Sequence, residues 1–350
     1  MESIRGRGSG ENPKNRFEEI ELQADPEAPE DEQPAPATRF YRDDSKSVIA
    51  TNDSPDVGFS ASVNPYRGCE HGCVYCYARP THEYLGFSAG LDFETRIMVK
   101  SDAPKLLRRE LESPSWKPQV VVLSGNTDCY QPAERRLKIT RACLEVFAEF
   151  RNPVSIITKN HLVTRDADLL SDLARHRAAA VFLSITTLDG ELARTLEPRA
   201  SAPSRRLAAI AALAKAGVPV GVMIAPVLPG LTEHEIPAIL AAAQKAGARH
   251  AGRVMLRLPF GVKELFDKWL ERHEPGKRKK VLGRIREIRG GNLNDPAFGS
   301  RMSGQGPIAD QIHQLFSATC LRLGMLERGP ELSSESFRKP GPVQLNLFGS

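Results

Sequence analysis

The sequence predicts an α/β fold, an incomplete (β/α)6 TIM-like barrel, with a disordered N-terminal tail and a helical C-terminal extension. Three observations carry this expectation: six short apolar, β-branched runs recur along the chain, stretches of helical periodicity separate them, and no Gly-rich phosphate loop follows the first run. Strands alternating with crossover helices build a parallel sheet. A flat doubly wound sheet is the alternative, and the missing phosphate loop counts against it.

Residues 1–39 are rich in Glu, Asp, Pro, Gly and Arg and nearly free of aromatic side chains, a composition that predicts a disordered tail. Residues 40–59 remain polar and lead into the domain at 40–270. The runs Ser60–Asn64, Gln119–Leu123, Val154–Thr158, Ala180–Ile185, Val218–Ala225 and Arg253–Leu258 read as buried strands. Between them, Glu134–Phe150, Ala167–His176, Ser204–Ala216 and Ile236–Ala246 have the length and amphipathic spacing of crossover helices. Residues 271–330 read as a basic helical extension and 331–350 as a flexible tail. In such a barrel the working residues project from the C-terminal ends of the strands.

With 350 residues, 41% of them apolar, the chain can bury a sizeable core, and its net charge of +5 permits a nucleic-acid partner without requiring one. No apolar run is long enough to span a bilayer, and the first residues lack the apolar region of a signal peptide, so a cytoplasmic location and no membrane partner are expected. Of six cysteines, three crowd into eight positions, which points to reduced thiolates holding a metal centre.

That segment runs Asn64-Pro-Tyr-Arg-Gly-Cys69, followed by Cys73 and Cys76 in a C-x3-C-x2-C spacing just after the first strand. Three thiolates on a four-iron cluster leave one iron open to a further ligand. A structural zinc site closed by His71 or His82 is the competing reading, although zinc sites usually pair two C-x2-C knuckles and no second knuckle exists here. Cys143 and Cys320 fall on helical stretches, where a thiol serves as a small hydrophobe. Cys129 lies in Ser124-Gly-Asn-Thr-Asp-Cys129, past the second strand, where it is expected to face the barrel mouth.

The cysteine spacing resembles the signature of the radical S-adenosylmethionine (SAM) superfamily. The resemblance extends over about residues 40–269 to the photolyase-like group that includes spore photoproduct lyase. It is carried by Asn64-Pro-Tyr-Arg-Gly-Cys69, Tyr77-Ala-Arg-Pro80, Thr127-Asp128, Tyr130-Gln-Pro-Ala-Glu134, Thr158-Lys-Asn160, Arg165-Asp166, Glu197-Pro198 and Ala225-Pro-Val-Leu-Pro-Gly230. It implies an enzyme whose barrel is of the radical SAM type. Cys69, Cys73 and Cys76 would hold a [4Fe–4S] cluster whose open iron takes the amino and carboxylate groups of SAM. Tyr75 would lie beside the adenine, and Thr127, Lys159, Ser184 and Arg206 would supply further SAM contacts. Asp128 and Glu134 are expected to hold loops or cap a helix. The implied chemistry is reductive cleavage of SAM to a 5′-deoxyadenosyl radical, fed by a flavodoxin- or ferredoxin-type electron donor. The lyase also uses a cysteine as hydrogen donor, which alignment places near Gly125. Cys129, four residues on, is the candidate substitute, and the lyase's substrate is not carried over.

Two features outside the barrel suggest DNA as a partner. Lys277-Arg-Lys-Lys280, continued by Arg284, Arg286 and Arg289, forms a basic helix that could neutralise phosphates. Gln344, Leu345, Leu347 and Phe348 form a peptide resembling those by which bacterial repair and replication proteins dock on the sliding clamp. Repair or modification of a nucleic acid is therefore expected. The alternatives are a radical SAM enzyme acting on a small metabolite or a protein side chain, and a non-enzymatic zinc- or metal-binding adaptor.

Overall fold

The computed structural model describes residues 4, 6–17 and 37–341. Its centre is a run of six parallel strands, β1 (Ala61–Val63), β2 (Val121–Leu123), β3 (Val154–Thr158), β4 (Ala179–Ser184), β5 (Val220–Val227) and β6 (His250–Met255), ordered in space as in sequence. An antiparallel edge strand, Ile49–Thr51, pairs with β1, and the two outer edges of the seven-stranded sheet do not pair with each other. The barrel is thus incomplete, as expected. A second, three-stranded sheet joins Arg39–Arg42, Arg96–Val99 and Tyr66–Arg67 beside the β1 edge.

The buried faces explain the architecture. Strand residues such as Val63, Leu123, Ile156, Val181 and Val222 are wholly buried and share one core with helix residues including Leu144, Phe147, Leu170, Ile210 and Ile239. Burial of such side chains is worth roughly 1.5–3 kcal/mol each relative to exposure, so each β-branched run is committed to the interior.

The expected helix over Glu134–Phe150 is broken into Glu134–Leu137 and Ile139–Phe150 by Lys138, whose φ is +54°. The cause is Glu134. Its buried carboxylate turns forward to accept the amides of Thr140 (3.0 Å) and Arg141 (3.4 Å), capping the second helix, and also accepts the hydroxyl of Tyr66 at 2.5 Å. A continuous helix could not supply that cap.

At both ends the described residues pack against the body of the chain. Residues 6–17 lie against the loop after β1, with Ser9 and Asn15 buried and the Gly8 and Ser9 amides donating to the Glu94 carboxylate at 3.0 and 2.8 Å. Backbone polar groups and small residues make this contact, which is why an apolar count does not show it. After helix Pro307–Leu323, Leu326 pairs in parallel with His250 along the free edge of β6. The chain then runs back to Arg177 and Phe150, whose carbonyls accept the Ser333 and Arg338 amides at 2.9 Å each. The clamp-like peptide, Gln344 to Phe348, lies outside the described residues. Among the described residues, no helix is long and apolar enough to cross a membrane.

Candidate active site

The cysteine loop leaves the C-terminal end of β1 and is pinned from two sides. On one side the Cys69 amide donates to the Phe93 carbonyl at 2.9 Å. Arg79, fully buried, donates to the carbonyls of Cys73 (2.9 Å), Gly72 (3.2 Å), Ala89 (3.2 Å) and Gly90 (2.8 Å), and pairs with Glu94 at 2.6 Å. On the other side Gln131 accepts the Glu70 amide at 2.9 Å and donates to the Gly68 carbonyl at 3.1 Å, while the Val74 amide reaches the Leu196 carbonyl at 3.0 Å. Gly72 has φ +68°, and a Cβ there would stand 2.6 Å from a Glu94 carboxylate oxygen, so only glycine lets the loop lie this close.

Cys69, Cys73 and Cys76 are free thiols, the first two buried and the third half-buried. Burial pushes all three thiols up. Asp128 and the neighbouring thiols add to this at Cys69, and Glu197 adds to it at Cys73, where Lys159 and Arg206 oppose it. Arg79 and Lys159 oppose it at Cys76. A site of this kind gives up protons when a metal takes the sulfurs, and nearby cations ease the accumulation of thiolate charge. Three free thiols on one loop are the donor set that a four-iron cluster with one open iron would need. The imidazoles named as closing ligands for zinc face other partners: His71 Nδ1 lies 3.3 Å from Asp128 and its Nε2 lies 3.2 Å from the Asn160 amide nitrogen, while His82 Nε2 lies 2.8 Å from the Arg96 carbonyl.

Around the loop stand the expected cofactor contacts. Tyr75 is buried, and its hydroxyl donates to Glu197 and lies 3.2 Å from the Thr186 hydroxyl. Lys159, half-buried at the end of β3, places Nζ 6.0 Å from the Tyr75 ring centroid and 3.1 Å from the Ala225 carbonyl. Thr127 is buried and donates its hydroxyl to the Tyr66 carbonyl at 2.6 Å, leaving its lone pairs for any ligand. Ser184 is buried at the end of β4.

Two further expected residues are engaged inside the protein. The Arg206 guanidinium is buried, pairs with Glu197, and donates to the Ser184 and Ser201 carbonyls at 2.9 and 2.7 Å. It holds Glu197, which holds Tyr75. Burial alone would raise the Glu197 carboxyl, but Arg206 and Lys159 outweigh it and bring it down to about 2. Cys129 turns away from the mouth into the main hydrophobic core, wholly buried, with its amide on the Ser124 hydroxyl at 2.8 Å and its carbonyl accepting from Thr140 at 2.7 Å. Ser124, at φ +75°, starts the turn that directs Asp128 inward and Cys129 back.

The roles of Arg79, Glu94 and Gln131 were not anticipated, since charged and amide side chains read as surface in the sequence while these three are buried. Asp128 holds a loop as expected, accepting from Thr158 (2.7 Å), the Lys159 amide (2.8 Å) and the Tyr130 amide (2.8 Å), which joins the ends of β2 and β3. The basic stretch at 277–289 is partly neutralised. Lys277 pairs with Glu274 at 3.0 Å, Arg278 with Asp267 at 2.7 Å, and buried Arg289 donates to the carbonyls of Ser300 and Leu256 at 2.9 and 2.8 Å.

Comparison with known proteins agrees with this geometry. An uncharacterized protein of Mycobacterium tuberculosis is 39% identical over 244 residues, covering 68% of this chain and 71% of its own length. An uncharacterized protein of Methanocaldococcus jannaschii is 29% identical over 190 residues, 54% of this chain and 69% of its own. A spore photoproduct lyase variant with bound AdoMet and dinucleoside spore photoproduct has a similar fold, with a TM-score of 0.59 over 82% of this chain and 80% of that one at 15% identity. Another lyase structure, complexed with the dinucleoside, gives 0.56 over 79% and 78% at 16% identity. The sequence model of the Radical SAM superfamily matches residues 63–243, more than half of the chain, and this protein therefore belongs to that superfamily of enzymes, which use a [4Fe–4S] cluster together with S-adenosylmethionine.

Proposed function

We propose that Cys69, Cys73 and Cys76 hold the cluster and that the enzyme acts on a nucleic acid, repairing or modifying it. The observation that carries the first part is the convergence on one pinned loop of three free thiols with Tyr75 and the half-buried Lys159 beside them. Held by these three thiolates, a cluster would supply the one-electron chemistry by which SAM is reductively cleaved. The protein's own residues position the reactants. Lys159 spends one proton on the Ala225 carbonyl and has others for the SAM carboxylate. Tyr75, fixed through its hydroxyl by Glu197 and Arg206, offers a ring edge or face to the adenine. Thr127 and Ser184 present oxygens at the ends of β2 and β4.

The nucleic-acid part is supported by the likeness in fold to structures of a lyase that holds a dinucleoside. The exposed Lys279, Lys280 and Arg286 add positive charge outside the barrel, and the terminal Gln344-Leu-Asn-Leu-Phe348 supports delivery by a sliding clamp. A flavodoxin- or ferredoxin-type protein is the proposed electron donor.

Anaerobic reconstitution with iron and sulfide, then dithionite reduction with SAM and damaged or intact DNA, tests the reading by chromatography of 5′-deoxyadenosine. Wild type should form it and Cys73→Ala should not. A loaded, reducible cluster that never yields it with any DNA sinks the nucleic-acid reading, and a colourless protein without an iron–sulfur signal sinks the ligand assignment.

A further inference from the structure

Two residues past β6, Arg257 lies over the ring of Tyr77, its guanidinium carbon 5.1 Å from the ring centroid. Tyr77 directly follows the third loop cysteine, is 42% exposed, and donates its hydroxyl to the Gly125 carbonyl at 2.7 Å. It therefore spans the mouth from the end of β2 to the end of β6. Arg257 lacks the anionic partner its burial calls for: Nε is buried and unbonded among the described residues, and Nη1 reaches the Met302 sulfur at 3.6 Å. Asp56, the nearby carboxylate, is taken by Arg301 and the Gly299 amide.

Arg301 in turn lies 4.4 Å from the ring centroid of Phe298, which is 61% exposed. Two arginine–aromatic stacks thus stand near one another, close enough that the Arg301 charge bears on Arg257. A half-buried guanidinium with an unfilled donor is costly unless an anion completes it. Exposed aromatic faces beside such cations are how proteins hold single-stranded or extruded nucleotides, the base stacking and the phosphate on the cation.

We propose that Tyr77, Arg257, Arg301 and Phe298 form a docking rim for a nucleotide of the substrate strand. Arg257 receives a phosphodiester, Phe298 stacks a base, and Arg301, fixed by Asp56, keeps Arg257 short of a protein counter-ion. The assignment rests on the nucleic-acid reading above and gives it a place on the molecule.

The test is fluorescence anisotropy of a short labelled single-stranded oligodeoxynucleotide on the reconstituted holoprotein across a salt series, with Arg257→Gln, Arg257→Lys, Phe298→Ala and Lys280→Gln variants. Arg257→Gln should weaken binding about tenfold and lower the salt slope by about one ion. Arg257→Lys should keep the slope while losing part of the affinity, which guards against a glutamine variant that misfolds. Phe298→Ala should cost about tenfold, as loss of one stacked base does, and Lys280→Gln should lose less than Arg257→Gln. If wild type binds and neither Arg257 variant nor Phe298→Ala changes affinity or slope, the rim is not the site although the nucleic-acid reading stands. If wild type binds no oligonucleotide, both fall.

Discussion

Arg79 and Glu94 meet at 2.6 Å with neither side chain reached by solvent. Between them they gather six further hydrogen bonds: four loop carbonyls on the guanidinium, and the Gly8 and Ser9 amides on the carboxylate. Removing one member leaves the other charged, buried and unpaired, so Glu94→Gln and Arg79→Met should each cost about 3–5 kcal/mol. Denaturant midpoints measure this. In a double-mutant cycle the two losses should fall well short of additive.

The N-terminal segment should depend on Gly8. A Cβ there would stand 1.6 Å from the Gly72 carbonyl oxygen, so Gly8→Ala should release residues 6–17. Hydrogen exchange should then show faster amides in that segment and in the cysteine loop. Gly276→Ala, where a Cβ meets nothing within 4 Å, should leave exchange unchanged.

Tyr75→Phe removes a buried hydroxyl from Glu197 and Thr186. Leaving the carboxylate one donor short should cost about 1–3 kcal/mol. Thermal unfolding with and without SAM checks it, and the stabilisation by SAM should shrink as well if the ring loses its orientation.

Acid should weaken the fold in two stages. Burial lowers the His82 imidazole from 6.5 to about 4, against the opposing hydrogen bond to the Arg96 carbonyl. The unfolded chain therefore takes up the proton first, and stability falls as pH drops from about 6.5 to 4. Glu197 titrates at about 2 when folded against 4.5 ordinarily, so its contribution is full above about 4.5 and is lost between there and 2. Urea midpoints from pH 7 to pH 3 should show both declines. His82→Gln should flatten the upper one and Glu197→Gln the lower.

Much of the framework was legible because it rests on local patterns. Val154–Thr158 is a strand with the expected bounds, and β1, β2 and β4 fall within two residues of theirs. At β6 the apolar run pointed three residues too late, since the strand begins at His250, where polar positions lie against the returning chain at Leu326. The cysteine loop was legible from spacing alone. What holds it was not, because Arg79 with Glu94 and Arg206 with Glu197 are charged pairs in the interior, and hydropathy reads each of the four as surface. The orientation of Cys129 depends on a single left-handed residue, Ser124, which no periodicity announces.

The returning chain has a mechanical meaning. It touches Arg249 and Ala251 at the start of β6, then Arg177 ahead of β4, Phe150 ahead of β3, and finally, through Lys339, the carbonyls of Glu112 and Ser113 ahead of β2. Each of these lies at the N-terminal ends of the strands. The segment is a belt buckled across the floor of an open barrel, and it delivers residue 341 to the pole opposite the cysteine loop. By joining the starts of strands that no sheet closure holds together, it braces the open floor against splaying.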